Sequence, residues 1–155
     1  MRTVLQRVRK ASVAVDGIVV ASTGKGICAL FGFTREDTDK DIEYMVKKIL
    51  GLRIFDDNEG FMNLSLQDVS GELLVVPQFT LYGDARKGRR PSFSNAMEPA
   101  RAQEMFTTLV DTFRKTYSNE TGDNLVSAGV FGAHMQVEII NDGPVTILLD
   151  SSRLF

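Results

Sequence analysis

Runs of apolar residues predict a chain that is rich in β-strands over its first third. Residues 13–15 and 18–20 are mainly apolar and flank Asp16-Gly17. This pair suits a two-residue hairpin, because both central residues of such a turn need a positive φ. The apolar run at 27–33 predicts a further, buried strand.

Further strands are predicted in the second half of the chain. Residues 73–76 are continuously apolar, as expected of a strand buried on both faces, and Pro77 ends or bends that strand. The last third predicts strands over 126–131, 135–140 and 145–150, the latter two joined by the turn residues of 141–144.

Two segments have the apolar spacing of helices. From about Thr38 to Leu50 the apolar face is Ile42, Met45, Val46 and Ile49. From about Glu98 to Tyr117 it is Ala102, Met105, Phe106, Leu109, Val110 and Phe113. Helices that separate groups of consecutive strands predict an α+β fold, with a strongly curled, barrel-like, mostly antiparallel or mixed sheet and two main helices.

Composition narrows the class of protein. With 155 residues, 43% apolar and 25% charged, residues 1–155 are expected to form a single domain. One cysteine and one histidine cannot build a disulfide framework or a His/Cys metal cluster, so we expect neither a metal nor a cofactor. A polar N-terminus and no membrane-length apolar run predict a cytoplasmic protein. The net charge of −2 argues against a protein that coats long nucleic acids.

Side-chain catalysis finds little support in the sequence. His134, at the edge of a predicted strand, fits a structural or surface role, and Cys28 lies inside an apolar strand, where we expect it to be inert. The pairs Asp37/Asp39 and Asp56/Asp57 fall in turn and cap contexts. An enzyme with this sequence is therefore expected to act mainly through backbone groups.

Two segments suit backbone chemistry. Residues 77–81 follow a buried strand, which would hold consecutive N–H groups and the Thr80 hydroxyl rigidly. Residues 141–146 contain Gly143-Pro144, and an X-Pro bond is the common place for a cis peptide. A strand terminus and a hairpin turn remain the alternative interpretations of these segments.

Together with three other segments, they resemble the D-aminoacyl-tRNA deacylase family in order and spacing. The matching segments are Leu5–Val8, Pro77–Asp84, Arg86–Phe93, Phe131–Val137 and Asn141–Thr146. The resemblance implies a homodimer that hydrolyses D-aminoacyl-tRNA, and glycine mischarged on tRNA-Ala, at two interface sites. The partner molecule is the 3′ aminoacyl-adenosine end of the tRNA; no membrane and no DNA are implied.

The resemblance also implies the site residues. The catalytic segment Gln78, Phe79 and Thr80 of one subunit would face Gly143-Pro144 of the other. Two carbonyl oxygens of this cis Gly-Pro segment would hold the substrate's amino group and occupy the space that an L side chain needs. Arg7 would bond to the segment and fix its orientation, and Met135 is assigned to the same substrate-binding and chiral-selection group.

The resemblance leaves two candidate nucleophiles. The Phe79 N–H would stabilise the oxyanion in either case. Thr80 is one candidate; water assisted by the 2′-hydroxyl of the terminal adenosine is the other. We favour water, because the sequence offers Thr80 no activating base.

Two further features leave alternatives open. The basic cluster Arg86, Lys87, Arg89 and Arg90 predicts either contact with tRNA phosphates or a solvated loop. Pro77 stands where the family carries Ser, as in a related branch that acts on L-alanyl-tRNA, but Phe79 departs from that branch. A non-catalytic RNA- or protein-binding dimer and a small-ester hydrolase with a Thr80 nucleophile are the rival interpretations.

Overall fold

One six-stranded mixed sheet, a two-stranded sheet and two α-helices make up residues 1–117 and 124–154, which the computed structural model describes. The strands are β1 (Arg2–Val15), β2 (Ile18–Thr23), β3 (Gly26–Gly32), β4 (Phe55–Asp56), β5 (Met62–Leu64), β6 (Glu72–Pro77), β7 (Val126–Ala128) and β8 (Met135–Asp150). The helices are α1 (Asp39–Leu50) and α2 (Pro99–Thr116), with a short 3₁₀ helix at Phe79–Tyr82.

The long strand β1 organises the sheet. It pairs antiparallel with β2, β3 and β8, while β3 pairs in parallel with β6 and β6 with β7. The sheet is nearly closed. The predicted α+β class with a curled mixed sheet and two helices is thus confirmed, and so is the first hairpin. Val15 pairs with Ile18, and Asp16 and Gly17 have φ of 50° and 79°.

The central strands β3 and β6 are buried on both faces of the sheet. Leu73 and Val75 of β6 pack into the core beneath the two helices, while Leu74 and Val76 pack into a smaller cluster on the other face. This explains why the sequence of β6 is continuously apolar. Cys28 lies in the smaller cluster, where burial raises the pKa of its thiol to about 12, as expected of an inert residue.

The predicted helices are confirmed, with ends shifted by a residue. Thr38 caps α1, and its N–H donates to Asp41 Oδ2 at 2.8 Å. Glu98 caps α2, where its carboxylate accepts from the N–H of Ala100 at 2.9 Å. The predicted apolar faces of both helices are buried. Among the described residues, neither helix is long and apolar enough to cross a membrane.

The predicted hairpin at 141–144 is wrong. Residues 135–150 form the single strand β8, which pairs with β1 from Met135 to Asp150. The turn-forming residues lie in a bulge. Val8 of β1 pairs with Asn141 of β8, and the next pair is Gln6 with Thr146, so a longer stretch of β8 lies opposite a shorter stretch of β1. The segment has the residue types of a turn because this bulge contains a glycine with a positive φ, Gly143 at +116°. The predicted strand at 126–131 also ends early, at Ala128.

Asp37 lies in its predicted turn context and is buried there. The residue is 2% exposed, and its carboxylate accepts hydrogen bonds from the Thr34 N–H and from the N-terminal ammonium of Met1. Burial raises the pKa of this carboxyl group. The ion pair between Asp37 and the N-terminal ammonium connects the start of β1 to the loop that precedes α1.

Candidate active site

The 3₁₀ helix after β6 presents two unpaired backbone donors. The Gln78 N–H donates to Phe31 O at 2.6 Å, and the Leu81 N–H donates to Gln78 O at 3.3 Å. Between them, the N–H groups of Phe79 and Thr80 lie in the first helical turn, which offers no acceptor. Within residues 1–117 and 124–154, neither group donates to a protein atom. These donors are therefore available to a ligand.

The Thr80 hydroxyl has an amide as its neighbour, not a base. Gln78 Nε2 donates to Thr80 Oγ1. In the described residues, Thr80 makes no hydrogen bond with a carboxylate or with His134. Nor do the described residues bring three His, Cys, Asp or Glu side chains together in a group that could hold a metal ion. The local arrangement binds the Thr80 hydroxyl without activating it.

An apolar pocket of about 760 Å³ adjoins these donors. Phe79 is 59% exposed at its wall and packs edge-on against Phe93, with ring centroids 5.1 Å apart. The pocket lining contains few polar side chains, namely those of Gln78, Glu98 and His134. The apolar lining includes Phe31, Phe33, Val76, Phe93, Met97, Ala102, Phe131, Met135 and Val137. Such a pocket suits a flat, largely apolar group with a few polar edges.

Some lining residues were assigned by sequence and others were missed. Gln78, Phe79 and Met135 line the pocket, and Thr80 adjoins it. Phe93 and Phe131 were not given a role, although both lie in the segments that carry the family resemblance. Met97, at the end of a loop before α2, gave no signal beyond its apolar character.

The β8 bulge forms a second group of predicted residues. Arg7 is 7% exposed, and its Nη1 donates to Ile54 O at 2.8 Å and to Asp56 Oδ1 at 3.1 Å. Its Nε donates to Asp142 O at 3.3 Å, which is the predicted contact with this segment. The Gly143-Pro144 peptide is cis, and both residues are exposed.

Gly143 occupies a position that only glycine fits well. Its φ is +116°, and a Cβ there would lie 3.0 Å from Arg7 Nη2 and 2.9 Å from Val145 Cγ2.

Within one chain the two groups stay apart. Gln78 bonds to Phe31, which pairs with Thr3 of β1, whereas Gly143 lies beside Arg7. Four residues along a strand span roughly 13 Å. Within one chain, the Gln78–Thr80 segment and the Gly143-Pro144 segment therefore lie beside different parts of β1.

The basic loop begins and ends beside the pocket. Backbone bonds between Asp84 and Ser92 close it, at 2.7 and 2.9 Å, next to Phe93. Arg86 pairs with Asp84 at 2.6 Å and holds the pKa of that carboxyl far below its usual value. Lys87, Arg89 and Arg90 are exposed and make no ion pair within the described part of the chain.

The fold and the site define a small α+β protein in which an apolar pocket adjoins the unpaired backbone N–H groups of Phe79 and Thr80. The profile of the D-Tyr-tRNA(Tyr) deacylase family matches residues 4–150, and the chain belongs to this family. The family predicted from the sequence motifs is confirmed.

Relatives match over the full length of the chain. A D-aminoacyl-tRNA deacylase of Clostridium acetobutylicum is 56% identical over 155 residues, with 100% of both chains covered. That of Thermosipho melanesiensis is 50% identical, with the same coverage. The solved structure of a c-Myc DNA Unwinding Element Binding Protein is similar with a TM-score of 0.90 and 46% identity, covering 97% of this chain and 98% of that one.

Proposed function

We propose that this chain hydrolyses the ester bond of D-aminoacyl-tRNA, releasing the D-amino acid and free tRNA, in the cytoplasm where aminoacyl-tRNAs are made. The observation that carries the proposal is the unpaired Phe79 N–H at the rim of an apolar pocket. Family membership and the names of the relatives support the substrate class.

The pocket and the donors would hold different parts of the substrate. The aromatic and apolar lining suits the terminal adenosine, with Phe79 and Phe93 at its wall. The ester carbonyl would then lie at the Phe79 N–H, which stabilises the negative charge of the tetrahedral intermediate. Loss of one such donor typically costs about 3–4 kcal/mol. Because Thr80 lacks a base, we propose water as the nucleophile, oriented by the substrate's 2′-hydroxyl.

The chiral filter would come from a second subunit. Gly143 and Pro144 of the partner subunit would place their carbonyl oxygens opposite Gln78–Thr80. These oxygens would accept from the substrate's ammonium and fill the space of an L side chain, whereas a D side chain would point outward. Glycine has no side chain to exclude, so glycine mischarged on tRNA-Ala is a further proposed substrate.

Exposed apolar surface supports a homodimer. Ile140 and Leu148 of β8 are 41% and 55% exposed, and Phe79 is exposed as well. In the described part of the chain the outer edge of β8 pairs with no strand. An exposed edge with apolar side chains is typical of a surface that another chain covers.

Nucleic-acid binding without hydrolysis is the second candidate. The cluster Arg86, Lys87, Arg89 and Arg90 supports it, because exposed basic side chains contact phosphates. The name of the relative that binds a DNA unwinding element points the same way. Hydrolysis of L-alanyl-tRNA is the third candidate function. It is supported by Pro77 at the end of β6, because proline has no backbone N–H to donate there.

The first experiment follows ester loss from tRNA charged with D-tyrosine and, separately, with L-tyrosine. We expect rapid loss of the D form and only spontaneous loss of the L form. Loss of both would contradict the chiral filter. Tight binding of D-tyrosyl-tRNA without hydrolysis would favour the second candidate. The same assay with L-alanyl-tRNA tests the third candidate, which hydrolysis of that substrate alone would favour.

A further inference from the structure

Asn141 stands at the start of the β8 bulge and bonds to both of its sides. Its Nδ2 donates to Arg7 O on β1 at 2.7 Å and to Val145 O, beyond the Gly143-Pro144 pair, at 3.1 Å. One amide group therefore connects the neighbouring strand to the far end of the bulge. These two bonds stand where the regular ladder between β1 and β8 is interrupted.

The other half of the amide is used as well. Asn141 Oδ1 accepts from Gln6 Nε2 at 3.4 Å and from Thr146 Oγ1 at 3.3 Å. An asparagine offers two donors and an acceptor with two lone pairs, and all four are occupied here. Aspartate has the same shape but no donor, and alanine has neither group. The position thus has a specific chemical requirement.

Asn141 and Arg7 hold the bulge reciprocally. The Asn141 side chain donates to the Arg7 carbonyl, and the Arg7 guanidinium donates to the Asp142 carbonyl at 3.3 Å. Arg7 is itself fixed by Ile54 O and Asp56. The Arg7 side chain therefore binds the bulge near its start, at the Asp142 carbonyl, and the Asn141 side chain binds it near its end, at the Val145 carbonyl.

We propose that Asn141 is a positioning residue that sets the place of the Gly143 and Pro144 carbonyls and thereby the discrimination between D and L substrates. This inference rests on the proposed function. A segment outside the strand ladder keeps its conformational freedom unless other bonds remove it. Exclusion of an L side chain depends on atomic overlap, so a small displacement of the carbonyls weakens rejection of L more than binding of D.

The test compares three variants of the full chain. Asn141→Asp keeps the shape and the acceptor but removes both donors, and Asn141→Ala removes the side chain. Gln6→Ala is the matched control, since it removes only the long bond to Asn141 Oδ1. For each, we would measure hydrogen–deuterium exchange over residues 141–147 and the ratio of kcat/KM for D- and L-tyrosyl-tRNA.

We expect both Asn141 variants to exchange faster at 141–147 than elsewhere and to lower the D-to-L ratio about tenfold, the effect of roughly one lost hydrogen bond. Gln6→Ala should stay within about twofold. Unchanged exchange, or faster exchange with an unchanged ratio, would overturn the role of Asn141. A wild-type chain that hydrolyses neither substrate would instead refute the proposed function, while the exchange data would still decide whether Asn141 holds the bulge.

Discussion

At the scale of single residues, the side chains of the site mostly hold backbone groups in place. Gln78 binds the Thr80 hydroxyl, and Arg7 binds the carbonyl of Asp142. Among the described residues, the N–H groups of Phe79 and Thr80 donate to no protein atom and are free for a ligand. Catalysis by backbone groups is difficult to predict from a sequence, because every residue has a backbone and its side chain does not show whether those groups are used. The Gln78, Phe79 and Thr80 roles therefore came from the family resemblance and stay predictions.

Thr80→Ala tests the nucleophile. The Thr80 hydroxyl has no base within hydrogen-bond reach in the described residues, so we expect kcat for D-tyrosyl-tRNA to fall less than about tenfold, whereas loss of an acting nucleophile removes several powers of ten. Single-turnover hydrolysis measures the difference. Thr80→Ser, which keeps the hydroxyl, is the control. A complete loss in the alanine variant, with the fold intact by circular dichroism, would establish Thr80 as the nucleophile.

At the scale of elements, local patterns predicted the helices and the first hairpin but failed at 141–144. Helix positions follow from apolar spacing within the segment itself, and Asp16-Gly17 can form its turn without help from the rest of the chain. Asn141–Pro144 has turn-like residues too. What keeps this segment in one strand is the length of β1, which pairs with β8 on both sides of the bulge. That information lies in the partner strand, outside any local window.

The N-terminus of α1 carries a pH-dependent contribution to stability. Burial raises the pKa of Asp41, but hydrogen bonds from Ser151 and Thr38 outweigh it, so the pKa is lowered overall. A carboxyl group with a lowered pKa in the folded state stabilises the fold above its unfolded pKa, near 3.9, and loses that contribution as the pH falls through the folded value.

Asp41→Asn keeps an acceptor but removes the negative charge beside the helix N-terminus, so it should lower the free energy of unfolding by roughly 0.5 kcal/mol at pH 7. The difference from wild type should shrink as the pH falls below about 4. Urea unfolding at several pH values measures this. Glu43→Gln, on an exposed position of the same helix, is the matched control. A difference that stays constant down to pH 2 would contradict the assignment.

At the scale of the whole molecule, the pocket joins segments that are distant in sequence. Its wall combines β3, the end of β6, the loop before α2 and the segment that leads into β8. Apolar character alone assigns Phe31, Phe93 and Phe131 equally well to a core, and only the curl of the sheet leaves a cavity between them. The separation of Gln78 from Gly143 within one chain was likewise beyond sequence reasoning, although the resemblance anticipated it through the homodimer.

Mixed dimers test whether each site uses two chains. Phe79→Pro removes the proposed oxyanion donor and suits the backbone, because Gln78 has a φ of −147° and a ψ of 81°, outside the helical region that a following proline disfavours. Gly143→Ala displaces the other group, since its Cβ would meet Arg7. We expect each variant alone to be inactive against D-tyrosyl-tRNA.

When equal amounts are co-refolded, half of the dimers contain one chain of each kind, and each of these has one site with both lesions and one with neither. Activity should return to about a quarter of wild type. A mixture of Phe79→Pro with the double variant is the control, because it can form no intact site. If the first mixture stays as inactive as this control while native mass spectrometry shows mixed dimers, the proposal that Gly143 and Pro144 of a partner subunit complete the site is wrong.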